Sequence, residues 1–153
     1  HMSRKNLVAI ALLLTLNTAY PALAETAYQR WLRMAVSARN QRNYDAALTY
    51  YQRAADESPN GPNDPDINTA IFEVLSERLQ SFQTTAPRYV RFITIADEAY
   101  FNGEYDRAIQ NYRMALRERP RDRYATVRIQ QAECIKQNRP ATGSQFRIMC
   151  PRF

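Results

Sequence analysis

The chain writes one helical hairpin twice. Residues 28–61 and 89–122 align without a gap at an offset of 61, and eleven positions are identical: Tyr28/Tyr89, Arg30/Arg91, Ala35/Ala96, Ala38/Ala99, Tyr44/Tyr105, Asp45/Asp106, Ala47/Ala108, Tyr51/Tyr112, Ala54/Ala115, Glu57/Glu118 and Pro59/Pro120. A repeat of this length restricts the fold before any other feature is considered. Each copy is one supersecondary unit, and neighbouring units must stack to bury their apolar faces.

Both copies read as two helices. Trp31, Met34, Ala35 and Ala38 recur at i, i+3, i+4 and i+7, which is one stripe of a helix. The polar run 40–43 interrupts, and Tyr44, Ala47, Leu48, Tyr51 and Ala54 make a second stripe. Phe92, Ile95, Ala96 and Ala99, then Asn102-Gly103, then Tyr105, Ala108, Ile109, Tyr112 and Ala115 repeat the design. Asp45 and Asp106 fall in a first turn, where a negative charge meets the helix dipole favourably. Pro59 and Pro120 stop the second helix, because proline cannot continue the hydrogen-bond ladder. Alanines let two antiparallel helices approach closely, and the aromatic residues fill the space around the crossing.

Trp31, Ala35, Tyr44, Ala47, Tyr51, Ala54 and Pro59, then Phe92, Ala96, Tyr105, Ala108, Tyr112, Ala115 and Pro120, resemble the tetratricopeptide repeat family. The resemblance implies an all-α solenoid of helical hairpins that acts as a protein-binding scaffold. Two positions depart from the family pattern: alanine replaces a glycine at Ala35 and Ala96, and an aromatic at Ala38 and Ala99. In the family the first helix of each pair lines a concave face. Carried over, that face is Leu32, Arg33, Val36 and Arg39, then Ile93, Asp97, Tyr100 and Phe101, with Gln29, Asn40, Val90 and Thr94 between them. The helix after the second repeat adds Tyr124, Val127 and Arg128. The Lys/Asn set with which some relatives grip a carboxylate is missing. Aromatic residues and arginines dominate binding energy at many interfaces. The implied partner is therefore a peptide or helix with apolar anchors and some acidic character. The competing expectation is that Tyr100 and Phe101 pack on an inserted helix and close the groove.

That inserted helix is expected over about 65–83. Asp64 is its candidate N-cap, Pro65 its first residue, and Ile67, Ala70, Ile71, Val74, Leu75, Arg78, Leu79 and Phe82 its stripe. It is expected to pack on the second helix of the first repeat. A capping helix is expected over about 122–137, with a narrow stripe of Ala125, Ile129, Ala132 and Ile135. The helical domain then covers 25–140, and 141–153 is a tail without a period.

The N-terminus carries a separate message. His1-Met2 reads as a tag remnant, and residues 3–24 read as a secretory signal. Arg4 and Lys5 precede an apolar run over 7–16, and Ala22-Leu23-Ala24 has the shape of a cleavage site. The run is too short to span a membrane, which needs roughly 20 residues. The expectation is export to a bacterial periplasm or a comparable lumen, with Glu25 first and no stable membrane span after cleavage.

Export also sets the meaning of Cys134 and Cys150, the only two cysteines, since disulfides persist in oxidising compartments. A disulfide and two free thiols are both open on sequence grounds. The only histidine is His1, which removes Ser-His and Cys-His nucleophiles and histidine metal sites. Asp97-Glu98 is adjacent on a helix, so the two side chains diverge, and the pair reads as surface charge. No catalytic, cofactor or metal site is expected. Residues 107–153 hold 11 basic and 3 acidic residues. A polyanion site is conceivable on charge alone, but a solvated basic end is the plainer reading, and export argues against nucleic acid. Two functions remain: a scaffold that binds a protein or peptide partner, and a self-associating component of an envelope assembly, for which a homo-oligomer stays open.

Overall fold

A computed structural model describes residues 23–138 and 150–153. Residues 1–22, which hold most of the segment read as a secretory signal, and residues 139–149, which hold most of the expected tail, lie outside the described residues. Among the described residues six helices follow one another: α1 Ala27–Asn40, α2 Tyr44–Glu57, α3 Pro65–Ser81, α4 Pro87–Phe101, α5 Tyr105–Glu118 and α6 Arg123–Asn138. The architecture is all-α, a solenoid of tetratricopeptide-like helical hairpins. Among the described residues no helix is long and apolar enough to cross a membrane.

The two hairpins are α1/α2 and α4/α5, and their crossings are built on alanine. Ala35, Ala47 and Ala54 have no exposed surface, nor have Ala96, Ala108 and Ala115. Ala38 and Ala99, smaller than the family pattern, are buried as well. The repeat also extends to the turns. In each, the two backbone N–H groups beyond the helix end return to its last carbonyls: Arg42 to Arg39 at 2.9 Å and Asn43 to Ala38 at 2.9 Å, then Gly103 to Tyr100 at 3.1 Å and Glu104 to Ala99 at 2.8 Å. This closure needs one residue in the left-handed region. The second turn uses Gly103, φ 78°, and the first uses Arg42, φ 59°.

Asp64 starts α3 as its sequence predicts. It accepts from Asp66 N–H at 3.0 Å, and Ser58 Oγ donates to it at 2.5 Å. These bonds tie the preceding loop to the helix start and hold the carboxyl below its ordinary value. α3 packs on α2, with Ile67 and Val74 buried. The same stripe buries Arg78, which is 4% exposed. Its guanidinium donates to Asp45 of α2 at 3.1 Å, to the Tyr89 hydroxyl of α4 at 2.7 Å and to Asp122. Tyr89 donates to the other Asp122 oxygen at 2.8 Å, and that oxygen also accepts the Ala125 N–H at 3.0 Å, capping α6. One cation thus joins the first repeat, the inserted helix, the second repeat and the capping helix.

The capping helix is broader than its sequence stripe. Beside Ala125 and Ala132 it buries Tyr124, Val127, Gln131 and Cys134, spaced i, i+3, i+7 and i+10 on a second face. Gln131 does not read as apolar, and Tyr124 and Val127 read as groove residues, so the stripe shows only half of what α6 covers. Cys134 and Cys150 form a disulfide with Sγ–Sγ 1.97 Å, which seats residues 150–153 against that second face.

Candidate functional site

The residues expected on one concave face separate into three groups. Ile93, Tyr124 and Val127, read as groove contacts, are core: they are 1, 1 and 7% exposed. Close packing of α4, α5 and α6 takes those positions inward, which corrects the family projection. The α1 members behave differently again. Leu32 packs on the core and Val36 is exposed. Arg33 pairs with Glu25 at 2.8 Å. Arg39 is held between Glu73 at 3.0 Å and Glu77 at 2.5 Å, both on α3. The inserted helix thus occupies the cation that the family pattern would aim at a ligand. A cavity of about 620 Å³ opens beside this pair, lined by Asn40, Arg42, Tyr44, Gln80 and Ser81.

The third group does converge. Asp97, Tyr100 and Phe101 on α4 meet Tyr124 and Arg128 on α6. Asp97 is not surface charge, because α5 and α6 fold over it. It is partly buried and accepts the hydroxyls of Tyr112 at 2.5 Å and Tyr124 at 2.9 Å. Burial pushes its carboxyl above the ordinary 3.8, against the two phenol hydrogen bonds and the nearby Arg128 charge, which pull it down. Burial likewise raises Tyr112, Tyr124 and Tyr100.

Arg128 is the centre of this group. It donates to the Tyr124 hydroxyl and to Gln131 Oε1, both at 3.1 Å. Its guanidinium carbon lies 4.7 Å from the Tyr100 ring centre, 5.4 Å from Phe101, 5.3 Å from Tyr124 and 5.1 Å from Phe153. Contacts of this kind hold a cation without neutralising it. Phe101 is 54% exposed, and its ring centre lies 5.9 Å from Phe72 on α3, itself 57% exposed. The expected packing of Phe101 on the inserted helix therefore occurs, yet it leaves both rings largely open to solvent.

Sequence reasoning missed several members of these clusters. Arg78 carried a signal, a charge inside an apolar stripe, which implies a buried partner. Asp122, just ahead of α6, carried the signal of an N-cap. Gln131 had none, because its role depends on chain segments far apart in sequence. Phe153, one of the apolar tail residues for which docking on the capping helix and a mobile tail are both open on sequence grounds, stacks on Tyr124. Among the described residues no group of His, Cys, Asp and Glu is placed to hold a metal.

Two hairpins of one design, packed in chain order around alanine crossings, define a helical-hairpin repeat protein. The tetratricopeptide repeat model matches residues 31–61, the first hairpin from Trp31 through the turn that follows it, and this supports the tetratricopeptide repeat family. No curated protein and no solved structure gives a significant match. Tetratricopeptide repeats generally mediate protein–protein interaction and scaffolding, and proteins built from them are typically non-catalytic.

Proposed function

We propose that the chain is an exported scaffold that holds a protein partner, as a peptide or a helix, on the surface formed by Phe72, Tyr100, Phe101 and Arg128. The supporting observation is the exposed Phe72–Phe101 pair beside a caged arginine. Two large rings from different helices meet at the surface, where water gains nothing from them, and an aromatic–arginine combination is common among binding hot spots. Arg128 keeps its charge in every protonation state of the protein. With the rings supplying apolar area, it favours a partner with an apolar anchor next to a carboxylate. The compartment is a bacterial periplasm or a similar lumen, a reading carried by the Arg4-Lys5, apolar-run and Ala22-Leu23-Ala24 pattern.

The test is a capture from native envelope extract with the mature chain and with the Phe72→Ser/Phe101→Ser double variant. A partner retained by the first and lost by the second, with circular dichroism unchanged, supports the reading. Equal retention places binding elsewhere. If the same double variant instead abolishes a concentration-dependent dimer seen by light scattering, the pair serves self-association.

A further inference from the structure

Residues 150–153 do not merely lie on the fold; their backbone and side chains are both recognised. Gln131 Nε2 donates to the Pro151 carbonyl at 3.0 Å, and the Phe153 N–H donates to Gln52 Oε1 at 2.9 Å. Two hydrogen bonds to its backbone fix the register of the segment. The side chains are read separately. Arg152 pairs with Asp56 at 2.6 Å, and the Phe153 ring stacks on Tyr124 at 5.3 Å with 7° between the planes, while Arg128 lies against it. The receptor groups come from α2 and α6, as far as 101 residues away in sequence from what they hold. Beside Phe153 a cavity of about 250 Å³ stays open, lined by Thr49, Gln52, Arg53, Asp56 and Arg123. The described segment does not fill the space available.

We propose that this surface is a peptide-binding site for a Pro-Arg-Phe type unit, one basic residue followed by an aromatic, and that the chain's own Arg152-Phe153 occupies it as an internal ligand. The Cys134–Cys150 bond, with Cα atoms 5.7 Å apart, anchors the occupant one residue ahead of its first backbone contact. An anchor this short gives a far higher effective concentration than a flexible tether, for which the figure is about millimolar. An external peptide therefore competes poorly while the bond is closed. A dithiol reductant opens it: the reductant gives up two electrons and two protons and becomes a disulfide, and Cys134 and Cys150 become thiols. The internal ligand then competes without its covalent anchor beside the site, and the site becomes accessible to a partner carrying the same unit. The site is separate from the Phe72–Phe101 surface, although Arg128 borders both.

The probe is a fluorescently labelled Pro-Arg-Phe hexapeptide with neutral flanks, titrated by polarisation against the full chain. The oxidised chain should show little binding below about 1 mM, the concentration scale of a flexible tether. The reduced chain should bind at least tenfold more tightly. A disulfide-intact variant shortened to end at Cys150 removes both the side chains and the backbone that hold Gln131 and Gln52, and should bind without reductant, which guards against unfolding on reduction. Asp56→Ala in that variant should weaken the probe severalfold, and Phe72→Ser/Phe101→Ser should not. Equal affinity in oxidised and reduced chains overturns the redox control. Failure of the variant ending at Cys150 to bind, with its helix content intact, overturns the site itself.

Discussion

Replacing Arg78 by methionine keeps the length and most of the volume of the side chain and removes its charge. Asp122 is then left 2% exposed without the guanidinium bonded to it, still accepting from Tyr89 at 2.8 Å and from the Ala125 N–H at 3.0 Å. Breaking a buried ion pair by removing one partner costs about 3–5 kcal/mol. The two surviving hydrogen bonds offset part of this, each contributing about 1 kcal/mol or somewhat more. The methionine fills the site, so the cavity contribution is small. The expected loss is therefore near the lower end, about 3 kcal/mol, a large fraction of the roughly 5–15 kcal/mol by which a domain is stable. Urea unfolding followed by far-ultraviolet circular dichroism measures it. The Arg78→Met/Asp122→Asn double variant separates charge from packing. It removes the unpaired carboxylate but leaves an acceptor for Tyr89 and Ala125, so its loss should be smaller than that of the single variant, about 1 kcal/mol. A single-variant loss under about 1 kcal/mol, or a double variant worse than the single, would refute the hub.

Arg42→Gly should raise stability by about 0.5–1 kcal/mol, read as a shift in urea midpoint, because Arg42 holds φ 59° where the second repeat has glycine. Gly103→Ala should lower stability by about 1 kcal/mol through φ alone, since an added Cβ meets nothing within 4 Å. The raised Asp97 pKa has a definite sign: its folded state binds the proton more tightly than the unfolded chain, so its contribution is present at low pH and is lost as pH rises from 3.8 through the folded value. Urea midpoints should therefore show the wild type losing stability relative to Asp97→Asn as pH rises from about 3 to about 6, and a constant difference would refute the assignment. Reducing Cys134–Cys150, which are 16 residues apart, should cost about 3 kcal/mol in the chain-entropy account, and an unchanged midpoint with dithiol would contradict it.

The hairpins were legible from local pattern because their causes are local. The 3.6-residue stripes, Asp64 ahead of Pro65, and Pro59 and Pro120 beyond the second helices depend on neighbours within a turn or two, and α2 and α5 fall at the same offset of 61 in structure as in sequence. Alanine at the crossings told that two helices approach closely. What the sequence could not rank was which exposed-looking positions the third dimension would cover. Ile93, Tyr124 and Val127 satisfy the pattern of a groove and are buried, because α4, α5 and α6 close on one another. Asp97 satisfies the pattern of a solvated acid and sits under two tyrosines, because Tyr112 and Tyr124 arrive from two other helices. Arg39 looked like a ligand-binding cation and is paired by a helix that the repeat pattern does not contain. The composition of the Arg128 cluster was partly legible, residue by residue, but its assembly was not. Gln52, Asp56, Gln131 and Phe153 meet across up to 101 residues of chain. A periodic signal reports which face of a helix turns inward; only the packing of distant segments decides what that face meets.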